Sequence, residues 1–343
     1  MKKRSFIIRW GNRLLLLLII LVGLGSLIPS HILFGASVLS LILPVLIIPQ
    51  LISLIITLRF SPRLIGIPVL GTALLFIPFM AQFPLGSDHS QPSDLHVASY
   101  NVRAFYQEES ATEKMAIWSA EQDIDILCMQ EVRRRKAATI AERYPFRTYA
   151  PDDQSYTVAI YSTYPILQSG GLVFERIPEQ IYARYSAQFA DIALDSDTIR
   201  FINVHLSSTG VRDGDMSVEP NREDLMETGS FVAKKIAKSD KRRGLQSEHL
   251  LDWVEQSPYP VILTGDFNSV PGGNLYARLL LKLRDPYIFH GHGGMGSFEP
   301  LKRRYLPIKI DWTLHSPEIK ATGQHIDHVH LSDHFPLITT FDL

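Results

Sequence analysis

The chain has 343 residues, one cysteine and a formal charge of −1. A lone cysteine excludes an intrachain disulfide framework. The near-neutral charge is uneven: no acidic residue precedes Asp88, and 27 of the 34 basic residues face all 35 acidic ones after it, a balance near −8. That balance does not advertise the basic surface of a non-specific nucleic-acid binder.

Residues 14–58 and 64–87 contain no Asp, Glu, Lys or Arg. Apolar runs of about 18 or more residues read as membrane spans, because roughly 20 are needed to cross the hydrocarbon. The first run is too long for one helix, and Pro29-Ser30-His31 offers a turn inside it. Three transmembrane helices are therefore expected, at 11–29, 32–58 and 64–85. A signal peptide would account for the first alone. Lys2, Lys3, Arg4, Arg9 and Arg13 precede the first span, and Arg59 and Arg63 flank the link between the second and third. Basic residues stay on the cytoplasmic side, which puts the N-terminus inside and the chain after the third span outside. The expected organisation is an integral membrane protein of the inner or plasma membrane. Its membrane domain is 1–87, a linker covers 88–94, and an extracytoplasmic domain covers 95–343.

Within that domain, apolar runs predict strands over 95–102 and 124–132, separated by a helix over 112–122 with Met115 and Trp118 on one face. Cys128, inside "DILCM", reads as a small core residue. "RRRKAATIAERY" returns to helix, "YTVAIYS" (156–162) is a strand, and 183–194 and 199–206 alternate like sheet. The polar loop 207–221 is longer than most loops without structure of their own, which marks it as a functional candidate. Two helices are expected across 222–238 and 244–256, then a strand at 261–265 and a helix near 275–283. A Gly-rich, His-bearing loop follows at 290–296, and strands at 308–316 and "FPLITTFDL" close the chain. Helices alternate with strands at first and strands dominate later, an order that fits a two-sheet core flanked by helices.

The ends of these strands share a character. They carry Asn101, Glu131, His205, then Asp266 with Asn268, then Asp311, and finally Asp333 with His334. A single case is turn chemistry, since Asp and Asn side chains bond nearby backbone. Six such ends, all of types suited to metal-assisted phosphoester hydrolysis, are hard to assign to turns. That chemistry needs oxygen ligands for a hard cation and an oriented attacking water. It also needs donors for the charge developing on phosphorus, and a carboxylate or carbonyl to fix each catalytic histidine. Asp266 and Asn268 are two apart, and on an extended chain they would share a face.

"SYNVR", "MQEV", "INVHL", "GDFN", "IDWTL" and "LSDHFP", in this order, resemble the endonuclease/exonuclease/phosphatase superfamily over 95–343. The resemblance implies a four-layer α/β sandwich, two packed mixed β-sheets flanked by helices, with the site between the sheets. It implies Mg²⁺ or Mn²⁺ as cofactor, Glu131 as principal metal ligand, Asn101 beside it and Asp333 completing the metal environment. Asp266 would orient or deprotonate the water, and Asn268 would hold the phosphate. His334, steadied by Asp311, would donate to phosphoryl oxygens, and His205 would serve as second phosphate-side histidine and general acid. Arg184 matches a phosphate-contacting arginine more loosely. The family often has Arg before the aspartate, where this chain has Lys309-Ile310-Asp311.

The remaining polar residues have plainer readings. His290 and His292 are expected in a solvated loop, because no third metal ligand is evident nearby. His325, His328 and His330 are expected at the surface or the substrate rim. Arg133, Arg134, Arg135 and Lys136 read as a solvated helix face that can also gather anionic substrate at the site's edge. Fold does not fix substrate. The favoured reading is a hydrolase of phospholipid or small phosphoesters outside the cytoplasm, with the bilayer as its one partner and no protein partner evident. A nuclease acting on DNA or RNA is the alternative. An inactive binding module is the third, opposed by the complete set of acid, amide and histidine groups.

Overall fold

The computed structural model describes residues 2–343 except 31, 34, 87–92, 107–109, 152–156, 175–184, 195–196, 210–221, 294–295 and 300–307. The N-terminal segment forms helices α1 (Lys2–Ser26), α2 (Ala36–Ile42), α3 (Ile47–Phe60) and α4 (Gly66–Met80). A 3-10 turn joins α2 to α3, so Ala36–Phe60 is one apolar rod. This rod and Lys3–Ser26 are long and apolar enough to cross a membrane. The third expected span is shorter than anticipated: α4 has 15 residues, about 22 Å at 1.5 Å per residue against a hydrocarbon core of about 30 Å. Pro62 starts a separate 3-10 turn over Pro62–Leu64, and after Met80 the chain turns at residues 81–83. Polar bonds tie the helices together. Asn12 Nδ2 donates to Thr57 Oγ1 (2.9 Å), Ser53 Oγ donates to Asn12 Oδ1 (2.7 Å), and the Gln50 amide donates to the Pro68 carbonyl.

The rest of the chain runs β1 (Leu95–Asn101), α5 (Ala111–Glu121), β2 (Ile126–Val132), α6 (Ala138–Arg143), β3 (Phe146–Tyr149), β4 (Thr157–Ser162) and β5 (Ile166–Val173). It continues with β6 (Ser186–Leu194), β7 (Asp197–His205), α7 (Arg222–Glu255), β8 (Val261–Asp266), α8 (Asn274–Leu279) and α9 (Tyr287–His290). The last elements are β9 (Gly291–Gly293), β10 (Asp311–His315), β11 (Lys320–Ile326) and β12 (Leu337–Asp342). They make two mixed sheets, ordered β3-β4-β2-β1-β12-β11-β9 and β10-β8-β7-β6-β5. Val97, Ile126, Cys128 and Ile160 of the first sheet pack against Ala190, Ile192, Phe201 and Ile262 of the second. Met115, Trp118 and Ile140 of α5 and α6 cover the outer face of the first sheet. Leu250 and Leu251 of α7, with Tyr276 and Leu279 of α8, cover that of the second. The result is the expected four-layer sandwich.

Two expectations are corrected. Residues 222–238 and 244–256 are not separate helices, because α7 runs unbroken through Gly244. Tertiary bonds hold it there: Arg243 Nη1 donates to the Ser207 carbonyl, and Gln246 brackets Ser207 through both its amide atoms. Residues 290–296 are not simply a loop, since His290 ends α9 and His292 lies in β9, paired with His325 of β11 and stacked on it at 5.0 Å. His328 and His330 pack on the Phe335 ring. Most of the 207–221 loop, and the 88–94 linker apart from Ser93 and Asp94, lie outside the described residues.

Parallel pairing of β1 with β2 and of β7 with β8 brings four strands to the same end of the sandwich. Antiparallel β10 and β12 begin at that end, with Asp311 opposite Asp266 and Leu337 opposite Ser99. The helical bundle meets the domain there too. Ser26 Oγ donates to the Gly272 carbonyl (3.1 Å), Asn274 Nδ2 to the Leu27 carbonyl (2.6 Å), and Ser37 N to Asp240 Oδ2 (3.1 Å). Gly86 N donates to the Gly291 carbonyl at 3.0 Å. Lys309, fully buried, donates to the Ala81 carbonyl (3.3 Å), stands 3.6 Å from Asp285 and lies over the Tyr287 ring.

Candidate active site

The strand ends converge. Register alone aligns His205, Asp266 and Asp311 on three adjacent strands. Asp266 is 1 % exposed and its two oxygens have different tasks. Oδ1 accepts from Asn268 N (2.8 Å), and Oδ2 accepts from Asn101 Nδ2 (2.9 Å). Burial pushes the Asp266 carboxyl up to about 6; His334 and His205 oppose the shift and Asp311 adds to it. His334 Nδ1 lies 3.0 Å from Asp311 Oδ2, and its Nε2 lies 3.7 Å from Asp266 Oδ2. Burial disfavours charge on this ring, but Asp311 and Asp266 outweigh it and raise it to about 10. His334 is thus an imidazolium near neutral pH, with Nδ1–H committed to Asp311 and Nε2–H directed to the centre. His205 Nε2 lies 3.7 Å from both Glu131 Oε1 and Asp266 Oδ2, with its ring against Tyr185.

Glu131 is presented by strained backbone. Its φ is +55°, in a region uncommon for non-glycine residues, and the β2–β4 register shifts between Met129 and Val132. Such a bulge re-aims a side chain, here into the site rather than along the sheet. Asn101 Nδ2 reaches Glu131 Oε1 at 3.4 Å. Burial raises the Glu131 carboxyl; His334 lowers it and Asp333 raises it again. Asp333 pairs with Arg103 at 3.0 Å.

Asn268 combines turn and site chemistry. Its backbone N–H closes the turn on Asp266, its Nδ2 donates to the Leu206 carbonyl (2.9 Å), and its φ is +50°. Because β8 stops at Asp266, the two residues do not share a strand face as expected; the left-handed turn places Asn268 instead. Arg184 lies outside the described residues. Three residues around the site were not read from the sequence. Ser297 Oγ donates to Asp311 Oδ2 (2.6 Å) and accepts from the Ile310 and Asp311 amides. Gln130 donates to Ser99 and, across the sheets, to Asn203. Arg103, inside "SYNVR", pairs with Asp333. The sequence held signals for two of them, since Gln130 and Arg103 stand inside quoted motifs. For Ser297 it held none.

Two groups bear on a divalent cation. Asp266, Asp311 and His334 place ligating atoms within 4.8 Å of one another, but those contacts are largely spent on the Asp311–His334 bond and on Asn101 and Asn268. Asp311 Oδ1 is buried and without a hydrogen-bond partner among the described residues. Glu131 and Asp333 keep 34 % and 30 % of their side chains in solvent, so their oxygens are the accessible ones. A hard cation takes carboxylate and carbonyl oxygens plus water; Glu131 and Asp333 offer carboxylate oxygens, while Asn101 turns its Nδ2 to Glu131 and its Oδ1 accepts from Arg103 N at 3.1 Å.

The layered architecture and this carboxylate–imidazole site define a hydrolase acting on phosphoester bonds. The chain belongs to the endonuclease/exonuclease/phosphatase family, whose model matches residues 98–334. Solved structures agree on the fold. The mannosyl-6-phosphatase Bt3783 of Bacteroides thetaiotaomicron VPI-5482 is 18% identical over 73% of this chain and 100% of its own, with a TM-score of 0.52. Beta toxin of Staphylococcus aureus is 17% identical over 72% and 99%, with a TM-score of 0.53. D. rerio TDP2, complexed with a single strand DNA product, is 14% identical over 73% and 99%, with a TM-score of 0.52. No curated protein matches the sequence.

Proposed function

We propose that this chain is a membrane-anchored, divalent-metal-dependent phosphoester hydrolase acting on lipid or small-molecule phosphoesters outside the cytoplasm. The observation that carries the reading is the polarity of the bundle. Its basic residues, from Arg4, Arg9 and Arg13 to Arg59 and Arg63, lie towards the start of α1 and the α3–α4 link. The opposite helix ends meet the catalytic domain through Ser26, Ser37 and Ala81. With basic residues held inside, the domain stands outside.

In this reading Glu131 and Asp333, with Asn101 beside them, would hold Mg²⁺ or Mn²⁺, which when bound would neutralise charge on the phosphoryl oxygens. Asp266 takes a proton from the attacking water, and a value near 6 suits a base working near neutral pH. The water oxygen bonds phosphorus while the ester P–O bond breaks, and His205 returns a proton to the leaving oxygen. His334, oriented by Asp311 and Ser297, donates Nε2–H to the charge developing on the phosphoryl group, a preorganised interaction of the kind that dominates such reactions. The free amide hydrogen of Asn268 adds a second donor, and Arg184 is proposed to contact the phosphate.

A nuclease is the second reading, favoured by one corner of the mouth. Arg133 and Lys136 each lie 5.0 Å from the ring of exposed Tyr106, the cation–aromatic pairing that suits nucleic acid. The deciding experiment is a screen of the full chain, reconstituted with Mg²⁺, against phospholipids, inositol phosphates, sugar phosphates, DNA and RNA. Fastest turnover on DNA or RNA would replace the first reading with the second. Topology is tested separately by a reporter active only in the cytoplasm, fused after Leu343, which is expected to be silent.

A further inference from the structure

The described hydrogen bonds that join the bundle to the catalytic domain all fall at the site end of the domain. Gly272 and Asn274 follow β8, whose last residue is Asp266, and Lys309 precedes Asp311 by two residues. Asp240 is one turn of α7 before Arg243, which grips the Ser207 carbonyl just past His205. On the bundle side the contacts come from the end of α1 and the residue after it, the first turn of α2 and the residue after α4. The bundle therefore stands end-on against the face that carries the catalytic mouth. The turn between β10 and β11, and Lys320 beyond it, lie at the other end, because His315 pairs with Ile262 and Lys320 with Asp342.

Two features at that face fit a bilayer surface. Leu85 and Phe289 are each 72 % exposed beside the Gly86–Gly291 hydrogen bond, so large apolar side chains are left in solvent where the helices leave the domain. A membrane interface removes such surface from water and prefers aromatic rings at headgroup level. Arg133, Arg134, Arg135 and Lys136 follow the Glu131 strand end. They form a basic corner on a domain whose overall balance is acidic. Lipid phosphates are the anions at that height, and basic groups near a membrane surface are drawn to them.

We propose that the catalytic mouth faces the outer headgroup layer, that Leu85 and Phe289 enter the interface, and that the phosphoester hydrolysed is carried on a membrane lipid rather than on a polymer in solution. This rests on the anchored reading above. The docking leaves a substrate in the bilayer facing the site, while a polymer in solution would have to enter between domain and membrane.

The test uses the full chain in nanodiscs of phosphatidylcholine and phosphatidylglycerol. Single cysteines replace Leu17, Phe289, Arg135 or Lys320, each exposed, and carry a fluorophore; Cys128 is buried and stays unlabelled. Spin-labelled lipids quench from the acyl chains or from the headgroups. The Leu17→Cys label is expected to be quenched from the acyl chains, and the Phe289→Cys and Arg135→Cys labels from the headgroups. The Lys320→Cys label is expected to escape, since the five-residue β10 alone separates the two ends by roughly 15 Å at about 3.3 Å per residue. Quenching at Lys320 equal to or above that at Arg135 overturns the proposal and leaves the anchor standing, as does an Arg135 label shielded by added single-stranded DNA but not quenched by lipid. An unquenched Leu17 label removes the anchor, and the proposal with it.

Discussion

Asp266, Asp311 and His334 are buried to 1 %, 1 % and 6 % exposure and bond to one another or to Asn101, Asn268 and Ser297, whereas Glu131 and Asp333 keep about a third of their side chains in solvent. The buried side holds two carboxylates against one imidazolium, a net negative group inside the protein. The open side has a carboxylate pair that repels, relieved at Asp333 by Arg103 and at Glu131 by His334 and, more weakly, Arg103. Charges tied down by internal hydrogen bonds can be positioned in advance and serve proton transfer. Charges left facing water can take a partner from outside, the role proposed above for a divalent cation.

The contrast is broken most directly at Asp266. Asp266→Asn keeps the shape and an acceptor for the Asn268 amide but loses basicity, and general-base catalysis is worth about 10²–10⁴-fold. Turnover per folded molecule is expected to fall by at least about a hundredfold, with thermal unfolding run in parallel to show that the fold persists. Normal turnover in a folded variant would return Asp266 to the role of turn residue. Next in size is His334→Gln, which removes the charged donor and strands Asp311. A fall of about 10²–10³ in kcat, larger than the change in KM, is expected for a donor used in the transition state. A change confined to KM would contradict that role.

Glu131→Gln sharpens the contrast from the open side. Activity should become harder to support with Mg²⁺, the half-saturating concentration rising by at least about tenfold, the scale seen when groups around a metal are altered. The measurement is a metal titration, with chelator abolishing activity in the parent protein. Unchanged metal dependence would move the cation to the buried group.

The smallest effect is on stability. The Asp266 carboxyl is raised from 3.8 to about 6 on folding, so the folded state holds this proton more tightly than the unfolded state does. The wild type therefore loses stability as pH rises from about 4 to about 6, and the loss is complete above that. Asp266→Asn cannot charge, so in chelator it should match the wild type near pH 4 and exceed it at pH 7. The excess is at most roughly 3 kcal/mol, trimmed because His334 loses a carboxylate. A variant less stable than wild type at pH 7 by thermal melting would show that charge at Asp266 holds the site together.

The sequence was most legible where burial is two-sided. "VILTG" and "DILCM" are continuous apolar runs because both faces of their strands are covered, so β8 and β2 and their polar ends stood out. β5, "ILQSGGLV", is a half-exposed edge strand with two glycines, and β9 has three residues; neither carries a pattern. Helix α7 hid its continuity because the bonds that carry it past Gly244 come from Ser207, far off in sequence. Within the site, residue types were readable but aim was not. Glu131 points inward through a bulge and a positive φ, and Ser297 reaches Asp311 from a segment whose local pattern is only glycine and turn. In the bundle, the absence of charge over 14–58 foretold the Ala36–Phe60 rod, but the equally uncharged 64–87 gave no sign that α4 would stop after 15 residues.

Lys309 bears on how separable the two halves are. Its ammonium is fully buried, burial lowers its affinity for a proton, and Asp285 and the Ala81 carbonyl are what keep it in place. Cutting the chain at Asp94 to free a soluble enzyme would remove that carbonyl and uncover the site-end surface of β8, α8 and α9. Two residues later stands Asp311, so looseness at the cut would be transmitted along β10 to the His334 pair. The N-terminal helices therefore serve as part of the catalytic domain's own scaffold, and a fragment lacking them is a different folding unit from the domain inside the whole chain.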